Sequence, residues 1–343
     1  MKILIIQTAF LGDVILATSL LESVHKKFPG ARIDFLLSKG NETLFNNHPF
    51  LNELFIFNKK KNKILGLIHL ISTIRKNKYD LVLNLHRYAS SGLITMFSGA
   101  KSKRGFDKNP FSFLYTKKFN HFISAKNNIH EIDRNHVLIS DLTKETPLKP
   151  KLYPTEQDKE KILSILSTYS SKPEIYGQAT PSIYLCIAPA SVWFTKQFPK
   201  HKWIELISLI NSSIIIFLLG SEQDVDLCEE IRSASQSFRN NSVLNLAGKL
   251  SLLQSAVLMQ GAKMNYVNDS APMHIASAMN APVTAVFCST VPGFGFGPLS
   301  DKANVIETKQ TLSCRPCGLH GFRACPQHHF KCAEEISVIE IPC

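Results

Sequence analysis

The chain has 343 residues, 44% of them hydrophobic and 19% charged, with 39 Lys and Arg against 27 Asp and Glu. That length suits two ordinary domains, each able to bury a core, and the composition excludes collagen-like, coiled-coil and wholly disordered chains. The net charge of +12 lies entirely in residues 1–150, with 23 basic and 11 acidic side chains, while residues 151–343 carry 16 of each; such an asymmetry points to an anionic partner for the first half, whether nucleic acid, a membrane surface or a phosphorylated substrate.

KILIIQT (2–8) reads as a buried strand that opens into a helix through Leu21–Lys27. Its apolar run could pass for a secretory leader, but Gly12 and Asp13 interrupt it and no small-residue cleavage pattern follows, so no leader is expected. RIDFLL (32–37), a basic helix over residues 64–76 and YDLVLNL (79–85) continue the alternation. Near-continuous apolar strands alternating with helices are the pattern of a parallel sheet covered on both faces. KSKRGFDKNPFSFLYTKKF (101–119), basic and aromatic, reads as a surface loop, and five prolines between Thr143 and Pro181 mark an interdomain connection with one polar helical patch.

A second α/β series follows: strand SIYLCIAPA (182–190), helix FPKHKWIELISLI (198–210), strand IIIFLLG (214–220), acidic helix EQDVDLCEEIRSA (222–234), helix 250–262, strand MNYVND (264–269), helix 271–280 and strand APVTAVFCS (281–289). Residues 203–220 contain Glu205 and Asn211, which fits an amphipathic helix and a core strand better than a membrane span. No transmembrane helix is expected, and no repeat of 20–50 residues points to a solenoid. The predicted fold is α/β, with two Rossmann-like, doubly wound parallel-sheet domains facing a central cleft, where ligands bind beyond the carboxyl ends of the strands. The predicted boundaries are 1–165, 180–332 and a short tail, 333–343.

Four segments carry candidate chemistry. In AFLGDVILATSL (9–20), Gly12 permits a tight turn and Asp13 falls at a helix N-terminus, where a carboxylate also serves simply as a cap. In IAPASVWFTKQFPKHKW (187–203), small residues, the hydroxyls of Ser191 and Thr195 and the Lys196 charge suit a phosphate, although an ordinary surface loop has the same composition. In VNDSAPMHIASAMNAP (267–282), Asp269 and Ser270 end a strand and Ala271, Pro272, Met273 and His274 open a helix. The backbone N–H groups there and the helix dipole suit a diphosphate, while a lone His such as His274 is also a common packing residue. In GSEQD (220–224), Glu222 is placed to accept from a ribose hydroxyl, or to open an acidic helical turn.

Taken together, LGD (11–13), TKQFP (195–199), LLGSEQD (218–224), NLAGKLSLLQ (245–254), NDSAPMH (268–274), FGP (296–298) and the RGF of residues 104–106 resemble the ADP-heptose:lipopolysaccharide heptosyltransferases, glycosyltransferase family nine. The resemblance runs from Lys2 to about Cys332, and the Cys-rich tail leans to the second heptosyltransferase type. It implies a GT-B architecture, the nucleotide sugar on the C-terminal domain and the acceptor on the N-terminal one. It implies inverting, metal-independent transfer of heptose from ADP-L-glycero-β-D-manno-heptose to the lipopolysaccharide inner core, with no cofactor, by a cytoplasmic enzyme in peripheral contact with the inner membrane. By the same resemblance Asp13 matches the general base, Thr195 and Lys196 the donor-phosphate loop, Glu222 a nucleoside-binding acid, and residues 269–274 the stretch that holds the donor's heptose and diphosphate. Lys196 and the helix-start N–H groups would stabilise the leaving ADP without a divalent metal.

The chain departs from the family pattern at Ala190 and Ala271, where glycine is usual; alanine does not tolerate positive φ as glycine does, so a left-handed backbone there would weaken donor binding. Gln197 replaces a frequent Arg and Ser19 a usual Pro. The family's final helix has no counterpart before Cys343, so weaker support for domain closure is expected.

Cys186, Cys228 and Cys288 lie in apolar runs and read as core residues. Cys314, Cys317, Cys325 and Cys332 crowd into 19 residues with His320, His328 and His329. The first pair has zinc-ligand spacing and the second does not, so a metal-free thiol-rich loop is the favoured reading and structural zinc the alternative. With no leader, a reducing compartment fits the scattered cysteines. Two other functions stay open: a related GT-B enzyme using another nucleotide sugar or glycan, and a nucleic-acid-binding protein, for which no zinc-finger, RRM or KH pattern is present. The basic half is then the acceptor domain, with Gly12, Lys101, Lys103 and Arg104, and beyond them Lys117 and Lys118, expected to face an anionic lipid-borne acceptor.

Overall fold

The computed structural model describes residues 1–59, 63–169, 183–239 and 242–342. Residues 170–182, which include the end of the proline-marked connection and Ser182, and Cys343 lie outside the described residues. The chain forms two compact units, Met1–Tyr153 and Pro154–Cys343.

The first unit runs β1 (Lys2–Ile6), α1 (Leu11–Lys27), β2 (Arg32–Ser38), β3 (Leu51–Phe57), α2 (Lys63–Lys76), β4 (Leu81–Asn84), α3 (Ala89–Phe97), β5 (Ser102–Phe106), β6 (Lys117–Phe119) and α4 (Glu131–His136). Its sheet has the order β3-β2-β1-β4-β5-β6 with every pairing parallel. The central strands are apolar on both faces because helices cover both. Leu4, Ile6, Leu36 and Val82 pack with Ile74 of α2 and Ile94 of α3 in one cluster, each such side chain contributing roughly 1.5–3 kcal/mol by leaving water.

The second unit contains α5 (Glu156–Thr168), β7 (Tyr184–Ala188), α6 (Lys200–Leu209), β8 (Ile215–Leu218), α7 (Val225–Arg239), β9 (Val243–Asn245), α8 (Leu252–Gly261), β10 (Met264–Asn268), α9 (Ala271–Ala278), β11 (Val283–Phe287), β12 (Ala303–Glu307) and α10 (Lys331–Glu334). Its order is β12-β11-β10-β7-β8-β9, again parallel throughout. Counted from its own first strand, this is the winding of the first sheet repeated. Ile187, Trp203, Leu206, Ile216, Leu218, Cys228, Ile231 and Cys288 belong to its core, and Cys186 is buried as well. The polar helical patch of the connection is α5, started by a reciprocal Thr155–Asp158 capping box; it packs on α8 of the second unit.

The 101–119 segment is not a surface loop: it holds β5 and β6. Arg104, Gly105 and Phe106 are buried while Lys117 and Lys118 are exposed on the terminal strand, where lysines discourage edge-to-edge pairing. Strand β3 was equally hidden, since an edge strand buried on part of one face lacks a continuous apolar run.

Candidate functional site

In each sheet the winding reverses once, between β1 and β4 and between β7 and β10. Ligand crevices of doubly wound sheets lie beyond the strands' carboxyl ends at these points, and both carry the chemistry singled out from the sequence.

In the first unit, Gly12 and Asp13 sit on the first turn of α1 beyond β1. No side chain caps this helix, and the backbone N–H groups of Phe10 and Asp13 favour the ionised Asp13 carboxylate. Burial, and then the neighbouring negative charge of Glu131, push the Asp13 carboxyl up to about 7, against the smaller opposing effects of those N–H groups and of Arg87. Glu131, at the start of α4, is itself buried. Although burial opposes it, His121 and Arg134 hold its carboxyl below the usual range, through a His121 Nε2 contact of 3.3 Å and an Arg134 Nε hydrogen bond of 2.7 Å. Asp13 thus holds its proton unusually long because the charge beside it is secured.

Beside the α1 start lies a cavity of about 450 Å³ lined by Thr8, Ala9, Phe10, Ser38, Lys59, His86, Tyr88 and Ser90, from the carboxyl ends of β1 to β4. His86 shares a hydrogen bond of 2.9 Å between Nδ1 and the Thr8 hydroxyl. Burial, then the Lys59 and Arg87 charges, lower its pKa to about 3, so the imidazole is neutral at physiological pH. Lys59 Nζ donates to the Thr8 carbonyl.

In the second unit, the loop after β7 and the start of α9 are stapled together by Asn268, the last residue of β10. Its Oδ1 accepts from the Phe198 N–H at 2.8 Å and its Nδ2 donates to the Pro189 carbonyl at 2.8 Å. Within that loop Gln197 Nε2 donates to the Ser191 carbonyl at 2.6 Å, so the residue in place of a basic one serves loop closure. Lys196 Nζ lies 2.7 Å from Asp269 Oδ2, which also accepts from the Thr290 hydroxyl at 2.6 Å. Ser270 holds the N-cap position of α9 without a side-chain cap bond, and Ala271 and Pro272 follow. The Met273 N–H turns back to the Ser270 carbonyl at 3.1 Å and Pro272 has none, so the helix-start donors narrow to the N–H groups of Ser270 and Ala271. Met273 and His274 are buried one turn in. Neither Ala190 nor Ala271 has positive φ, so the alanines in place of glycine bring no backbone strain. Glu222 is exposed, in the short turn after β8. The left-handed Gly248 (φ +72°) lies against it, with a Cβ there falling 3.2 Å from the Glu222 Cα, which is what the AGK turn requires of its glycine.

Thr195 is placed differently from the expectation of a phosphate-facing hydroxyl. It is buried, and its Oγ1 accepts from the Phe322 N–H at 2.8 Å and the Ser289 hydroxyl at 3.0 Å. It anchors the Cys-rich segment, where Arg315 donates to the carbonyls of Cys288 at 2.7 Å and Thr290 at 2.7 Å, and Cys317 N–H to that of Ser289 at 2.8 Å. Cys314, Cys317, Cys325 and Cys332 are free thiols, and among the described residues no group of three His, Cys, Asp or Glu side chains is placed to hold a metal ion.

The structure does not bring Lys101, Lys103 and Arg104 to Asp13. Lys101 pairs with Asp80 at 2.7 Å at the amino end of β4, the opposite end of the sheet. Lys103 lies within β5 with its N–H on the Thr116 hydroxyl at 2.8 Å. Arg104 is buried and bonded to Asp141 at 2.5 Å and to the Leu138 carbonyl at 3.1 Å, and Lys117 meets the same Asp141 at 2.9 Å. Sequence reasoning missed Lys59, His86 and Glu131 at the first site and Asn268, Ser289, Thr290 and Arg315 at the second. Asn268 had a signal, as the first letter of NDSAPMH; Glu131 had none.

Two parallel six-stranded sheets wound alike, with such groups at both reversals, place the molecule in the GT-B fold of glycosyltransferases. The Escherichia coli ADP-heptose LPS heptosyltransferase II structure superposes with a TM-score of 0.75 at 24% identity, covering 96% of this chain and 97% of that one. Residues 67–320 match the model of glycosyltransferase family 9 (heptosyltransferase), and the chain belongs to that family. Lipopolysaccharide heptosyltransferase 3 of E. coli is 27% identical over 290 residues, 82% of each chain. Lipopolysaccharide heptosyltransferase 2 of E. coli K12 is 26% identical over 333 residues, 90% of this chain and 88% of its own, so similarity does not separate the types. Among the described residues no helix is long and apolar enough to cross a membrane.

Proposed function

We propose that the protein transfers heptose from ADP-L-glycero-β-D-manno-heptose to the lipopolysaccharide inner core, with inversion and without a divalent metal, at the cytoplasmic face of the inner membrane. The observation that carries this reading is the doubled winding, with Asp13 at one reversal and the Lys196–Asp269 pair before α9 at the other. The relatives' names supply the substrates.

In this reading Asp13 takes the proton from the acceptor hydroxyl as that oxygen attacks the anomeric carbon. A carboxylate with a pKa near 7 is a far better base at neutral pH than an ordinary one. The C–O bond to the diphosphate breaks as the new glycosidic bond forms on the opposite face, hence the inversion. Charge developing on ADP is met by Lys196 and the Ser270 and Ala271 N–H groups, preorganised by the Asn268 staple. With that positive potential from the protein, no Mg²⁺ clamp is needed. Ser191 and residues 269–274 hold the diphosphate and heptose, and Glu222 the nucleoside. The cavity beside Phe10 and His86 takes the acceptor's sugar, in place of the lysines of residues 101–104.

Incubating the protein with ADP-heptose and heptose-deficient lipopolysaccharide, with and without EDTA, tests this. Transfer unaffected by chelator is expected. Transfer from GDP- or UDP-sugars alone would replace it with the neighbouring reading of another donor.

A further inference from the structure

In the second unit β11 ends at Phe287 and the chain runs on through Cys288, Ser289 and Thr290, all of them buried. Carbonyls in such a stretch need donors, and two residues of the Cys-rich segment supply them. The Arg315 guanidinium donates from Nη2 to the Phe287 carbonyl at 3.1 Å and the Thr290 carbonyl at 2.7 Å, and from Nε to the Cys288 carbonyl at 2.7 Å. The Cys317 N–H takes the Ser289 carbonyl at 2.8 Å. Arg315 is fixed in turn by Glu307 at the end of β12, 3.3 Å from its Nη1. A planar fork can serve several carbonyls at once where a lysine would meet one, so the loop after β11 is held in a single place.

From that loop two hydroxyls reach the surroundings of Lys196. Ser289 Oγ donates to Thr195 Oγ1 at 3.0 Å, on the residue before the lysine. Thr290 Oγ1 donates to Asp269 Oδ2 at 2.6 Å, the same oxygen that lies 2.7 Å from Lys196 Nζ. Lys196 is therefore located twice, its backbone through Ser289 and Thr195, its ammonium through Thr290 and Asp269. An ammonium on a flexible four-carbon stem brings no geometry of its own. A carboxylate oxygen fixed by a buried hydroxyl provides one.

We propose that Ser289 and Thr290, pinned by Arg315, are positioning residues for the Lys196 ammonium and set where it meets the charge developing on the leaving ADP. The pinning stands on the hydrogen bonds themselves; its purpose rests on the function proposed above. ADP gains a negative charge as the C–O bond to the diphosphate breaks. A displaced ammonium therefore costs the transition state and product ADP more than it costs the bound donor.

Thr290→Val, which removes the hydroxyl and keeps the side chain's shape, tests this beside Thr290→Ser, which keeps the hydroxyl. In the full chain Thr290→Val should lower kcat for heptosyl transfer by about tenfold or more and weaken ADP binding by calorimetry about three- to tenfold, with KM for ADP-heptose within about threefold of wild type. Thr290→Ser should bring kcat back to within about threefold of wild type. Ser289→Ala, which loosens the backbone side alone, should lower kcat about three- to tenfold and carries the comparison where Thr290→Val does not fold. Wild-type kcat in the variant so compared would overturn the proposal, as would a loss confined to KM. Thr290→Ser as slow as Thr290→Val would also overturn it, the role then being one of packing. The rate at which acetic anhydride acetylates Lys196, followed by mass spectrometry, reads the position of the ammonium without any transfer. It should rise about threefold or more in Thr290→Val and stay at the wild-type rate in Thr290→Ser, and equal rates in all three proteins would overturn the pinning. Wild type inactive with ADP-heptose would remove the heptosyltransferase reading and leave the acetylation rates to judge the pinning separately.

Discussion

Glu131 offers a test of how the fold sets the proton affinity of its base. Folding carries the Asp13 carboxyl from 3.8 to about 7, with burial the larger cause and the Glu131 charge the second. Glu131→Gln removes that charge and keeps the side chain's shape. Because burial remains, the Asp13 pKa should fall by about one pH unit, ~1.4 kcal/mol, and not return to the ordinary carboxylate value. The assay is kcat/KM for heptosyl transfer from pH 5 to 9. Wild type should lose rate below about pH 7, retaining about one-tenth of its plateau a full unit lower; the variant should retain about half of its own plateau there. Some loss of stability is expected as well, since Arg134 is left buried without its carboxylate at 2.7 Å, but instability lowers the plateau and does not move the limb. Asp133→Asn, an exposed acid on the same short helix, is the control and should leave the profile in place. An acid limb unmoved by Glu131→Gln, or moved to higher pH, would refute this electrostatic reading of the site.

Asp13 itself should be a stability liability. Its folded pKa lies above its unfolded one, so the folded state keeps a proton that the unfolded chain releases, and stability falls as pH rises from about 4 to about 7. Asp13→Asn should therefore be more stable than wild type above pH 7, by ~1–3 kcal/mol once the residue's partial exposure is allowed for, and indistinguishable below pH 4; denaturant midpoints at both pH values check this. Lys196→Ala should weaken ADP binding about 10–100-fold by calorimetry, as befits a charge-assisted contact of ~1.5–3 kcal/mol, and unchanged affinity would remove Lys196 from the diphosphate site. Gly321 has φ +76°, and a Cβ there would fall 2.8 Å from Thr195 Oγ1, whereas Gly318 (φ +64°) has nothing within 4 Å. Gly321→Ala should cost ~1–3 kcal/mol and loosen ADP binding through the Lys196 loop, while Gly318→Ala should cost about 1 kcal/mol and leave ADP binding intact.

What could be read from the chain alone follows the physics of burial. β1, β2, β7, β10 and β11 are buried on both faces, so their apolar runs are continuous and legible. β3, β5 and β6 lie toward the sheet's margins, half-wet and partly lysine-bearing, and a lysine on an edge strand looks like a lysine in a loop. Asp13, Lys196 and residues 269–274 were legible as candidates because residues at a strand's end fall in one short motif. The tuning of that site was not, because Glu131 reaches Asp13 only through the packing of α4 on α1. Charge counting singled out lysines that the fold uses elsewhere: Lys101 and Arg104 answer Asp80 and Asp141, while the cation acting on Asp13 is Arg87.

The central claim is that Asp13 deprotonates the acceptor hydroxyl in heptosyl transfer. Single-turnover transfer from ADP-heptose to heptose-deficient lipopolysaccharide, comparing wild type with Asp13→Asn at pH 8 and with ADP affinity measured alongside, addresses it most directly. The expected result is transfer by wild type and a rate lower by about 10²–10⁴-fold in the variant, with ADP binding unchanged. A variant that transfers heptose at the wild-type rate would contradict it.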